Sequence, residues 1–114
     1  MAKRSQVFLL TVAPAEASRV VREAIDEAGW ECEESGDHLD AREDMTRLCC
    51  RESPVKVEIR VREDDARRVQ IRLDGWVAGW GPIANRQLPD RLRMLERTIR
   101  GRAGSRAHAE TPDT

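Results

Sequence analysis

Val55, Val57, Ile59 and Val61 alternate with Lys56, Glu58, Arg60 and Arg62, and further on Val69, Ile71 and Leu73 alternate with Arg68, Gln70 and Arg72. A period of two places successive side chains on opposite faces of an extended chain, so both arms read as β-strands with one apolar and one charged face. Glu63-Asp64-Asp65 lies between the arms and supplies the turn of an antiparallel hairpin. Such a hairpin cannot stand alone in water, because its apolar face is a contiguous patch that something else must cover.

Two segments have the pattern to cover it. After Pro14, which suits the first turn of a helix, Ala17, Val20, Val21, Ala24, Ile25 and Ala28 recur at helical spacing, and Gly29 is placed to close the helix in the left-handed conformation. Near the other end Leu88, Leu92, Leu95 and Ile99 form a second stripe, which predicts a helix from Pro89 to about Arg100. Each helix owns one apolar stripe, so both are expected on the same face of the sheet.

The remaining strands are read from shorter signals. Gln6 to Val12 has apolar residues of both parities, which predicts a central strand covered on both faces. Trp30 to Arg42 reads as a hairpin with Gly36-Asp37 at its turn. Glu43 to Ser53 carries little periodicity, with Leu48-Cys49-Cys50 a candidate strand continuation. Gly75 to Pro82 is expected to be a loop, since its glycines and proline oppose a helix. The fold class predicted is α+β: a two-layer sandwich with a mostly antiparallel sheet of four or five strands and two helices on one face, in the order β-α-β-β-(β)-β-β-α. One domain is expected over residues 1–104, followed by a disordered tail over 105–114, where Ser105 to Thr114 has no apolar period.

Composition fits a single thin core: of 114 residues, 39% are apolar and 36% charged. No run approaches the ~20 apolar residues of a membrane span. Arginine greatly outnumbers lysine, the coding bias of a GC-rich bacterial genome. Cys32, Cys49 and Cys50 cannot all pair within one chain, and adjacent cysteines make a strained bridge, so a reducing cytoplasm is the expected setting. Net charge is −1, but Ala13 to Asp44 is strongly acidic and Ala84 to Ala107 is rich in arginine. Together with the doubly apolar first strand, this asymmetry raises the expectation of a homodimer.

Chemical motifs are sparse. Cys32, Cys49, Cys50 and His38 lack the close spacing of structural zinc ligands, so no metal site and no cofactor is assigned. Neither His38 nor His108 stands near a serine or cysteine in the pattern of an activated nucleophile. Gly75 to Gly81 lacks the spacing of a phosphate loop. Trp76 and Trp80 can either plug the core or present a contact surface, together with Asn85 and Arg86 at the start of the last helix.

On these grounds the chain is expected not to be an enzyme but a binding or interaction module for an unidentified protein or small molecule. A first rival is a redox or metal sensor built on Cys49 and Cys50, whose thiols have Arg47 and Arg51 as neighbours in sequence. A second is a nucleic-acid binder using the basic face of Lys56, Arg60, Arg62, Arg68 and Arg72; the absence of aromatic residues on that face argues against it.

Overall fold

The computed structural model describes residues 2–44, 53–79 and 81–110, with side chains described as far as residue 104. The elements run β1 (Ala2–Leu10), α1 (Pro14–Glu27), β2 (Glu31–Ser35), β3 (His38–Arg42), β4 (Val55–Asp65), β5 (Arg68–Val77) and α2 (Gly81–Glu110). The strands form one antiparallel sheet in the order β1-β5-β4-β3-β2, and both helices pack on one face of it. The chain is thus the expected α+β two-layer sandwich. Leu48, Cys49 and Cys50, with the strand suggested there, lie outside the described residues, as does Trp80. Among the described residues no helix is long and apolar enough to cross a membrane.

The alternation in the sequence becomes the core. Val55, Val57 and Ile59 of β4 and Val69, Ile71, Leu73 and Val77 of β5 are buried beneath Val20, Val21, Ala24 and Ile25 of α1 and Leu88, Leu92, Leu95 and Ile99 of α2. Pro14 occupies the first turn of α1, where its missing N–H costs nothing. Gly29 (φ 80°) turns the chain out of that helix, while the Trp30 N–H donates to the Ile25 carbonyl at 3.1 Å. Gly36 (φ 64°) makes the β2–β3 turn.

Three expectations are corrected. β1 is an edge strand, not a central one: Phe8 and Leu10 face the core, whereas Val7 and Leu9 are exposed on the other side. The apolar parity that raised the expectation of a homodimer therefore belongs to the outer face of an edge strand. Gly75-Trp76-Val77 continues β5 instead of starting a loop. Gly75 is there because α2 leaves no room: a Cβ at this position would lie 3.0 Å from both Leu88 Cδ1 and Leu92 Cδ2. α2 itself starts at Gly81 and passes through Pro89 to reach Glu110, into the stretch expected as a tail. Proline in a helix interior forfeits a backbone hydrogen bond. Burial of Ala84 and Leu88 before it and of Leu92, Leu95, Ile99 and Ala103 after it holds the helix continuous. At β1, Gln6 Nε2 donates to Glu96 Oε1 (2.5 Å), and the Arg100 guanidinium lies over the Phe8 ring at 5.0 Å and donates to the Leu9 carbonyl (3.2 Å).

The contact at Gly75 gives a stability prediction. Gly75→Val must push two fully packed leucines aside, and overpacking of this kind costs about 1–3 kcal/mol. A urea midpoint equal to that of the parent chain would show that α2 does not press on β5 there.

Candidate functional site

The helix layer and the sheet layer are closed against each other along most of α2, since Leu88, Leu92, Leu95 and Ile99 fill the space above β4 and β5. They part where α1 ends and β3 leaves the sheet. Ala28, Gly29 and Trp30 form one side of a recess of about 240 Å3, Glu43 and Asp44 the second, and Asp90, Arg91 and Met94 of α2 the third.

Its back wall is a buried ionic network, and the local backbone explains why it is there. Glu43 is the residue after β3; its N–H donates to the Val55 carbonyl (3.0 Å), and its Oε1 accepts the Val55 N–H (3.1 Å). The side chain thereby takes the place of a ladder carbonyl and ends the β3–β4 pairing. The same carboxylate accepts from Arg91 Nε (2.6 Å, to Oε2) and from Gln87 Nε2 (3.5 Å). Gln87, also buried, donates to the Ser53 carbonyl at 2.7 Å. A carboxylate out of water needs this number of donors, and Arg91 supplies the countercharge. The recess thus has an apolar side (Trp30, Met94, Ala28) and an ionic side (Glu43, Asp44, Asp90, Arg91).

Larger hollows lie on the outer face of the sheet, but their walls differ in kind. One of about 550 Å3 is bounded by Glu31, Glu33, Asp40, Arg42, Lys56 and Trp76, and one of about 420 Å3 by Lys3, Ser5, Asp74 and Trp76. Most of these side chains are exposed, and several pair with one another, as in Arg42–Glu31 (2.5 Å) and Ser5–Asp74 (2.5 Å). They exclude little water, whereas the smaller recess is backed by buried groups.

The residues singled out in the sequence fall as follows. Trp76 is half-buried on the outer face of β5, between Lys3 and Lys56 in register. Asn85 and Arg86 are exposed on α2, in the other layer, so the structure does not bring them onto one surface with Trp76. Cys49 and Cys50 lie outside the described residues. Cys32 is exposed at its edge strand; burial pushes its thiol pKa up, Arg22 pulls it down and Asp40 pushes it up, with a net rise that disfavours the reactive thiolate.

The outer face is also less basic than the strand sequences imply. Register places Ser5, Asp74, Glu58, Asp40 and Glu33 in one row across all five strands. This acidic row separates Lys56, Arg42 and Lys3 from Arg60 and Arg72, and Arg60 and Arg72 pair with Glu58 and Asp74. A polyanion would meet alternating charge there.

Ala28, Gly29 and Trp30 entered the sequence reading only as parts of a helix, its cap and a hairpin, and none of the residues around the recess was read there as a site. Glu43 and Gln87 look like surface residues in one dimension. The signal that was available is that Gln87 falls on the apolar stripe of α2, one position before Leu88.

No family model matches the chain, and no curated protein sequence matches it. Among solved structures, the Zhui aromatase/cyclase from Streptomyces sp. R1128 is similar in fold, with a TM-score of 0.60 at 13% sequence identity over 96% of this chain and 97% of that one. At that identity the likeness carries the fold. It corrects the reading of the chain as a non-enzymatic binding module, since the architecture is shared with an enzyme. That reading had weighed a nucleophile with a neighbouring base, and acid–base chemistry needs neither in a fixed spacing.

Proposed function

We propose that this chain is an enzyme of the cyclase type, catalysing acid–base ring closure of a small carbonyl compound in the recess between the end of α1 and α2. The observation that carries the reading is the Arg91–Glu43 pair, which fixes a guanidinium at the back of a recess whose opposite side is apolar. The fold it shares with an aromatase/cyclase supports the same class. At about 240 Å3 the recess is smaller than the ~300–1,000 Å3 of pockets for drug-sized ligands, so the substrate is small or partly outside it.

Ring closure between two carbonyl groups needs a base to take a proton from carbon and a donor to hold the enolate oxygen that results. Arg91 is the donor. Glu43 is buried at the back wall beneath Arg91, and Asp90 is exposed. The half-buried Asp44 is the carboxylate assigned to proton transfer. It takes the α-proton while the electron pair moves to the oxygen held by Arg91. The enolate carbon then bonds to the second carbonyl carbon, whose oxygen takes the proton back from Asp44.

Short linear poly-β-ketone mimics, whose carbonyls are far enough apart to close a six-membered ring, are the test. Their addition should shift the Trp30 indole and Met94 methyl resonances and consume the β-diketone absorbance. Asp44→Asn should keep the binding shifts and slow turnover, and Arg91→Lys should lose about 100-fold in rate, the scale seen when an oxyanion donor is removed. If millimolar ligand leaves Trp30 and Met94 unmoved, the assignment of the recess is wrong.

A further inference from the structure

A second cluster lies on the opposite side of the sheet from the recess, where three side chains of metal-ligating type converge. His38 and Asp40 of β3 and Glu58 of β4 face outward, and their ligand atoms all lie within 4.8 Å of one another. His38 Nδ1 is 3.1 Å from Asp37 Oδ1, a carboxylate that can only accept, so the ring proton of a neutral His38 belongs on Nδ1. Nε2 then presents a lone pair to Asp40 Oδ1 at 3.3 Å and to Glu58 Oε1 at 3.4 Å. Three acceptors converge on one point.

The surroundings hold them in that attitude. Arg60 donates through Nε to Glu58 Oε2 (3.1 Å) and through Nη1 to Asp37 Oδ2 (3.2 Å), taking the far oxygen of each carboxylate and leaving the near one turned to His38. Asp37 fixes the tautomer of the imidazole, as carboxylates behind metal-bound histidines do. Asp37, Asp40 and Glu58 against Arg60 leave two negative charges around a neutral imidazole, which a dication balances. His38 Nε2 stands 3.3 Å and 3.4 Å from the two carboxylates, and bonds of ~2.0–2.1 Å to a tetrahedral ion set its ligands about 3.3 Å apart.

We propose that His38 Nε2, Asp40 and Glu58 form a binding site for a first-row divalent metal ion of the zinc type. Imidazole with two carboxylates suits zinc, cobalt and manganese better than the all-oxygen ions, and it leaves coordination positions for water. The sequence did not suggest this grouping, because the sheet register brings Glu58 beside residues 38 and 40.

The experiment is titration of the full chain, stripped with a chelator, with Zn2+ followed by calorimetry and with Co2+ followed by visible absorption. Saturable binding of one ion per chain is expected, with a cobalt spectrum free of thiolate charge-transfer bands. His38→Gln and Glu58→Gln should each weaken it at least tenfold and Asp37→Asn by about 10–100-fold. The triple variant Cys32→Ser, Cys49→Ser, Cys50→Ser should bind like the parent. Circular dichroism checks that His38→Gln is folded; if it is not, Asp40→Asn on the half-exposed neighbour gives the reading. Binding that survives His38→Gln or Asp40→Asn, that vanishes with the cysteines, or that never saturates overturns the site and leaves the cluster as an imidazolium among carboxylates.

Discussion

Truncation of Ile59 or Ile71 to alanine is expected to lower the free energy of unfolding by about 2–5 kcal/mol, the range for deleting buried aliphatic groups. Both side chains are fully buried. Ile59 stands between Leu39 on β3 and Leu73 on β5, and Ile71 between Val61 on β4 and Phe8 on β1. A cavity at either point is lined by strands that are held by the ladder on both sides and by helices pinned by their own stripes, so it cannot easily collapse. Val7 is the control. It stands next to Phe8 in the same strand but faces outward and is 50% exposed, so Val7→Ala should change stability by less than about 0.5 kcal/mol. Urea midpoints at unchanged slope give the comparison. A loss at Val7 as large as that at Ile71 would mean that the outer face is covered in solution, and unchanged midpoints for both isoleucine variants would refute the register.

Removal of one partner of the Glu43–Arg91 pair is expected to be as severe. Glu43→Ala leaves the Arg91 guanidinium, the Val55 N–H and the Gln87 amide each without their shared acceptor, and breaking a buried pair in this way costs about 3–5 kcal/mol. Arg91→Ala should cost somewhat less, because Arg91 is 26% exposed and Glu43 keeps two donors when it is gone. The double change Glu43→Leu with Arg91→Met removes both charges together and should recover much of the loss, as apolar replacement of buried ion pairs commonly does. A double-mutant cycle by urea unfolding measures the coupling. Additive losses would mean that the two residues do not act as a pair, and the geometry assigned to the recess would fall with them.

Recovery of stability in the apolar double variant would carry a functional corollary. The pair would then be shown to cost stability that a plain core would not, the usual signature of a polar group placed for what it does to a ligand. Loss of poly-β-ketone binding in that stable variant would tie the recess to the proposed chemistry.

What the sequence determined by itself is the part of the fold written in short-range periodicity. The alternation from Val55 to Leu73, the stripe from Ala17 to Ala28 and the stripe through Leu92, Leu95 and Ile99 fix strands, helices and the face each buries, because a side chain's direction along a regular element depends only on its place in the repeat. Gly29 and Gly36 were legible for the same reason, since a positive φ is a local demand.

Tertiary structure decided the rest. β1 has apolar residues on both parities, and only the strand order shows that it is an edge whose outer face is exposed. Pro89 reads as a helix start, and only packing of the preceding turns through Ala84 and Leu88 carries α2 across it, since burial outweighs one lost hydrogen bond. Glu43 and Arg91 stand 48 residues apart, and Glu58 reaches His38 only through the β3–β4 register. Groups that bear chemistry are brought together by long-range contacts, and those leave no period in the chain.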